Sequence, residues 1–154
     1  MKKRLFPVVL CAVFSLVLLA WSGCSRITTD SVIYGIPYIS AKNYFFINDQ
    51  PAPADPRITS QEQFDQLFGT AAFMGKGGET TPIDFNRQFV IAVVLPETSV
   101  QTAISAKMLI ATKQKITLLY QVDKGARLGY TMRPIMLLVV DKKYDTGKVV
   151  VRKS

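Results

Sequence analysis

The chain predicts an α+β domain, with one short helix packed on a mainly antiparallel sheet of about five or six strands. Three observations lead there. A single segment, residues 59–68, combines a helical capping pattern with helical spacing of apolar residues. Two uninterrupted apolar runs, residues 89–95 and 135–140, read as strands covered on both faces. From residue 83 onward, turn-forming residues punctuate short strand-like stretches. One helix followed by many short strands is the α+β order of elements.

Ahead of that domain lies MKKRLFPVVLCAVFSLVLLAWSGC. Lys2, Lys3 and Arg4 form a positive start, residues 5–20 are apolar, and Ser22-Gly23 leads into Cys24. A basic start, an apolar middle and a small-residue end make a bacterial export signal. The small-small-Cys ending resembles a lipoprotein signal, although Trp21 stands where such signals usually carry Leu. Residues 1–23 are therefore expected to be a lipoprotein signal peptide, with Cys24 carrying palmitate-type acyl chains. Two other readings exist. Residues 5–23 are apolar for 19 residues, close to the shortest membrane span, and so could stay as an uncleaved anchor. A buried core helix is disfavoured by the terminal position, the basic start and the absence of a polar face. Ser25 follows Cys24 where Asp would signal inner-membrane retention in enteric-type sorting, so the expected address is the outer membrane of a bacterial cell envelope.

Residues 24–40 read as the lipidated Cys24 and a tether, rich in Ser and Thr and broken by Gly35 and Pro37. Residues 41–154 form one globular domain, long enough to bury a real core. Residues 41–47 are aromatic and strand-like, and 48–57 hold three prolines and must be loop. In the helix, Thr59 and Glu62 form a T-x-x-E capping box. Phe64, Leu67 and Phe68 then share a face, and Gly69 ends the helix. Residues 70–82 are a Gly-rich connection whose Ala71, Ala72, Phe73 and Met74 are expected to dip back onto the core. After the apolar run 89–95, Pro96 ends the strand. Residues 102–110 make a mixed strand. Residues 116–122 alternate, with Ile116, Leu118, Tyr120 and Val122 on one face. Asp123-Lys124-Gly125 reads as a turn, and Tyr130–Met132 as the start of a further strand interrupted at Pro134. Asp145-Thr146-Gly147 is a second turn, after which residues 148–152 are expected to return beside 135–140 as a hairpin. Phe64, Phe68, Val90, Val93, Leu118, Leu137 and Val139 are expected to be buried together.

Composition excludes several chemistries. Histidine is absent, and the two cysteines are Cys11, in the signal, and Cys24. The domain thus lacks the residues of Ser-His-Asp and Cys-His catalysis, of the usual zinc sites and of His-ligated haem. No metal, no cofactor and no nucleic-acid partner is called for, and the expected answer to whether this is an enzyme is no. From Cys24 onward there are 16 Lys+Arg and 11 Asp+Glu, a net charge of +5. An excess of that size suits anionic lipid or phosphate, but the lysines are dispersed along the chain and read as ordinary solubilising charge.

The remaining motifs each have a plain reading beside the chemical one. Asp145-Thr146-Gly147 spells the aspartic-protease tripeptide, yet it occurs once and fits a turn. Gly75-Lys76-Gly77-Gly78 lacks the Ser/Thr and the following helix of a phosphate loop and reads as a surface turn. Ser105 and Lys107 share a strand face, but nothing nearby would lower a lysine pKa. Asp84 and Glu97 could serve as a carboxylate pair; Asp84 more simply caps a turn. Tyr38, Tyr44, Phe45 and Phe46 suit either a binding platform or packing.

The run ITSQEQFDQLFG, then PIDFNRQFVIAVVLP, then RPIMLLVVDKK resembles the C-terminal domain family of the protease-complex subunit PrcB. Pro82-Ile83-Asp84-Phe85 leading into residues 89–95, and the later Pro134-led strand, carry the resemblance, which covers roughly residues 58–142. It departs at Glu97-Thr98-Ser99-Val100, where family members usually have a T-G-G-Y-like turn. The resemblance implies a lipid-anchored envelope domain that binds or assists another protein, as an accessory subunit of a protease complex, with no catalytic residues to carry over. Lys76 and Gly77 in the Gly-rich loop, and Glu97 and Thr98 at the departing turn, are the candidate partner-binding residues. The other functions in view are a small carboxylate-dependent hydrolase and a structural lipoprotein that binds an envelope polymer.

Overall fold

The structure, a computed structural model, describes residues 31–154; residues 1–23, expected to be a signal peptide, and Cys24 lie outside the described residues. Those residues are mostly strand with one short α-helix, an α+β fold with mainly antiparallel sheets. In order they are β1 (Ile33–Tyr34), β2 (Ile39–Ser40), β3 (Tyr44–Phe46), β4 (Arg57–Ile58) and α1 (Gln61–Leu67). Then come β5 (Phe68–Thr70), β6 (Gln88–Val94), β7 (Thr98–Ala111), β8 (Ile116–Met132), β9 (Ile135–Asp141), a 3-10 turn (Lys142–Tyr144) and β10 (Val149–Lys153). No helix among them is long and apolar enough to cross a membrane.

The frame is one antiparallel ribbon folded on itself. Its first half pairs β6 with β9, from Gln88↔Asp141 to Val94↔Ile135. Its second half pairs β7 with β8, from Thr98↔Met132 to Ala111↔Ile116. Pro96 and Pro134 sit at the fold, where a missing N–H interrupts a ladder at least cost. One bond crosses the elbow, from the Leu95 N–H to the Pro134 carbonyl at 3.0 Å. Each half then recruits short strands. The sheets run β2-β9-β6-β4 and β1-β7-β8-β10, and β3 pairs with β5 separately.

Folding the ribbon makes three layers and two cores. Phe89, Ile91 and Val93 of β6 and Met136, Leu138 and Val140 of β9 meet Leu109, Ile116 and Leu118 of the other sheet. The opposite face of the β6–β9 sheet sends Val90, Ala92, Leu137 and Val139 against Phe64 of α1 and against Phe46 and Phe68 of the β3–β5 pair. The middle sheet is covered on both sides, which is why its two central strands are apolar without a break from Phe89 to Val94 and from Ile135 to Val140. The expected single core is therefore divided: Val93 and Leu118 belong to one cluster, and Phe64, Phe68, Val90, Leu137 and Val139 to the other.

Local expectations are corrected at five places. The capping box is displaced by one residue: the Ser60 hydroxyl accepts from the Gln63 N–H, and the Gln63 side chain accepts from the Thr59 N–H. T-S-Q-E-Q holds two overlapping boxes, and Ser60, two residues after Ile58 pairs with Val90, is the one that caps the helix. Gly69 does not cap the helix by a left-handed turn; Phe68 passes directly into β5, and the bare Gly69 makes room for the Phe45 ring across the pair. Asp123-Lys124-Gly125 is no turn but lies inside β8, whose ladder runs on past it. Residues 149–153 do not return beside β9; β10 lies parallel to β8 in the other sheet. Finally, residues 31–40, the described part of the expected 24–40 tether, belong to the fold. Ile33↔Ala111 and Ile39↔Val139 tie that stretch to both sheets, and Ile36 is 2% exposed within the core.

Candidate interaction site

The Gly-rich connection after β5 is a pinned loop. Asn43, with φ +63°, holds it: its side-chain amide donates to the carbonyls of Gly77 (2.8 Å) and Glu79 (2.6 Å). Asn tolerates the left-handed region better than most residues. The Ala71 N–H donates to the Asn43 carbonyl at 2.8 Å, and the Tyr44 hydroxyl donates to the Thr81 carbonyl at 2.7 Å. Within the loop the Phe73 N–H reaches the Gly78 carbonyl and the Gly78 N–H reaches the Gly75 carbonyl. Gly78 must lack a side chain, because a Cβ would overlap the Phe73 carbonyl.

What this framework displays differs from the sequence expectation. Phe73 and Met74 do not dip onto the core; Phe73 is 60% exposed and Met74 fully so, beside exposed Lys76 and Gly77. The loop's hydrogen bonds close on Asn43 and Tyr44 at its base, which leaves the apolar pair no surface to meet.

The second candidate region is the elbow. Glu97 is exposed, and Thr98 begins β7 rather than forming a turn, its hydroxyl accepting from the Val100 N–H at 3.1 Å. Beside them is an open cleft of about 300 Å³, walled by Pro96, Tyr120, Val122 and Pro134 and edged by Glu97, Lys124 and Lys153. Glu97, Lys124 and Lys153 form no ion pair with one another, so their charges face whatever enters. The loop bearing Lys76 and Gly77 and the elbow bearing Glu97 and Thr98 are thus carried by different elements.

The catalytic alternatives are not assembled. Asp84 and Glu97 flank opposite ends of seven-residue β6, on the order of 25 Å of strand apart, where a glycosidase pair needs about 5–9.5 Å. The Asp84 carboxylate accepts from the Asn86 N–H, as a turn cap does. Ser105 and Lys107 are both exposed, and a bulge between Ala106 and Met108 breaks their shared register. Asp145 is committed to Arg57, and Gly147 adopts φ +80°, the turn reading of Asp-Thr-Gly. The Arg57 hydrogen bond raises the guanidinium pKa. At Asp145, burial pushes the carboxyl up, but the Arg57 bond, the Gly147 N–H and the charges of Arg57 and Lys142 together hold it below its ordinary value. The four aromatics do not form one platform. Tyr44 stacks edge-on against Phe64 and Phe46 is buried on Phe68, while Phe45 points to the other side of the pair. Among the described residues no three acidic, Cys or His side chains gather into a cluster.

Sequence reading missed Asn43 as the residue that organises the loop, and Phe73 and Met74 as its exposed tip. An Asn beside an aromatic strand offers only a faint signal, since its partners lie 34 and 36 residues away. Compared with protein-family profiles, curated proteins and solved structures, the chain finds no match in any of the three.

Proposed function

We propose that the protein is a lipid-anchored domain of the bacterial cell envelope that binds another protein and assists it, as an accessory subunit of the protease-complex kind. The observation that carries this reading is the Phe73–Met74 pair, held out to solvent on a loop whose backbone is fixed by Asn43. An apolar pair displayed on a pre-ordered loop binds a partner without paying to order itself. Lys76 beside it, and Glu97 and Thr98 at the elbow cleft, supply polar contacts that select the partner. The lipid on Cys24 keeps the domain at the membrane, on the expected outer-membrane address.

The test is in-cell cross-linking of the full chain followed by identification of attached proteins. The parent chain is expected to yield one dominant envelope protein, lost when Phe73 and Met74 are both replaced by Ser. Undiminished attachment in that variant removes the loop as the contact. Attachment to an envelope polymer in place of protein turns the assignment to a structural lipoprotein.

A further inference from the structure

Lysines that are scattered in sequence meet at one end of the fold. Residues 112–115 turn β7 into β8, closed by the Thr112 N–H on the Lys115 carbonyl at 2.9 Å. The Ile116 N–H donates to the Lys148 carbonyl at 2.8 Å, and Val149 lies beside Ile116 in parallel register, which sets Lys148 next to Lys115. Lys113 and Lys143 line one shallow cavity of about 180 Å³ together with Ser31, Ile33, Tyr144 and Asp145. Among the described residues, carboxylates do little to neutralise this end. Asp145 is taken by Arg57, and Asp141 reaches Lys143 only at 3.9 Å, exposed to solvent. Lys113, Lys115 and Lys148 make no ion pair among the described residues.

The chain enters the domain at this same end. β1 runs antiparallel to β7 with Ile33 opposite Ala111, so Val32 and Ser31 lie past Ala111 toward the 112–115 turn. Ser31 already shares the cavity with Lys113. Val32, Ile33 and Tyr34 are exposed there. Ile33 follows Cys24 by nine residues, and a chain that long reaches at most about 30 Å.

We propose that this end of the domain rests on an anionic membrane surface, with Lys113, Lys115, Lys143 and Lys148 facing lipid phosphates and residues 32–34 at the interface. The inference rests on the lipid-anchor reading for the short leash, and on the gathered lysines for the chemistry. Attraction of surface lysines to such a surface fades within a Debye length, about 8 Å at physiological salt, so the contact is salt-sensitive. Docked this way, the domain has one face committed to the bilayer, while the elbow end of the ribbon points away from it.

The experiment reconstitutes the acylated full chain in vesicles of phosphatidylcholine, alone or mixed with phosphatidylglycerol, and reads amine labelling of each lysine by mass spectrometry. Lys113, Lys115, Lys143 and Lys148 should label several-fold less on the anionic vesicles, and high salt should abolish the difference. Lys124 and Lys153 should label equally on both; Lys124 lies roughly 25 Å along β8 from Ile116. Replacing Lys113, Lys115 and Lys148 by Gln should remove the protection of Lys143. Equal labelling of the four lysines on the two vesicle types overturns the proposal, as does protection centred on Lys124 and Lys153. Failure of the anchor reading is seen separately, as a Cys24 peptide without acyl mass. Labelling of that unacylated chain on the same vesicles still decides for or against the basic end.

Discussion

Arg57 holds Asp145 with two parallel hydrogen bonds, Nε to Oδ1 at 2.9 Å and a terminal nitrogen to Oδ2 at 2.5 Å, across 88 residues of sequence. The pair fastens β4, on the middle sheet, to the turn that carries the chain over to β10 in the other sheet. Both side chains are largely covered, at 25% and 16% exposure. The Asp of an apparent catalytic tripeptide is thus a clasp between layers.

Replacing Asp145 with Asn should lower stability by about 1.5 kcal/mol, the scale of a charge-assisted hydrogen bond. The folded state holds the Asp145 carboxyl below its ordinary value. Its contribution is therefore complete above the unfolded carboxylate pKa and is lost as pH falls through the depressed folded value. Denaturant midpoints measured from pH 7 down to pH 2 should converge for parent and D145N at the acid end. A constant gap across that range would show that the charge has no part in the clasp.

Leu137 is 2% exposed and sits in the core between the middle sheet and α1. Leu137→Ala should cost roughly 2–5 kcal/mol in chemical denaturation. A loss below about half a kcal/mol would contradict its place in that layer, given the usual cost of emptying a buried site.

Asn43 gives the loop both a left-handed backbone residue and two side-chain donors. Asn43→Ala removes both and should speed amide exchange at Phe73 and Gly78, the two residues whose N–H groups bond within the loop. Asn43→Gly restores the backbone freedom but not the donors and should fall between. Identical exchange in all three chains would mean that the loop is ordered without Asn43.

Lys76→Ala combined with Glu97→Ala should leave stability within about 0.5 kcal/mol of the parent, because both residues are exposed on connections. Partner attachment should nevertheless weaken. Full attachment by the double variant would confine binding to Phe73 and Met74.

Cys24→Ser should abolish incorporation of labelled fatty acid and leave an unprocessed chain. Labelling and shortening at the parent level would place the lipid elsewhere.

Periodicity carried much of the fold. The apolar runs 89–95 and 135–140 announced two-sided burial, and they are the central strands β6 and β9. The alternation from Ile116 marked the face that reaches the core, and Gly147 at φ +80° is the turn residue its neighbours implied. Such signals are local, since each depends on side chains a few positions apart. Turn composition misled at Asp123-Lys124-Gly125, because a long ribbon tolerates turn-prone residues where it is solvated and β8 is exposed there.

By itself, the sequence determined the α+β class, the place of the helix, the doubly covered strands and the absence of histidine and thiol chemistry from the domain. Tertiary structure alone decided that Pro96 and Pro134 fold one ribbon into two sheets, that β10 crosses to lie parallel to β8, and that Arg57 meets Asp145. It also decided which residues face outward together: Phe73 with Met74 on a loop held by Asn43, and Lys113 and Lys115 with Lys143 and Lys148 at the end where the chain enters. The reason is range. Burial period and turn chemistry are written within a few residues, whereas a ribbon's fold and a surface's charge arise from contacts between positions 30 to 90 residues apart, which no local pattern encodes.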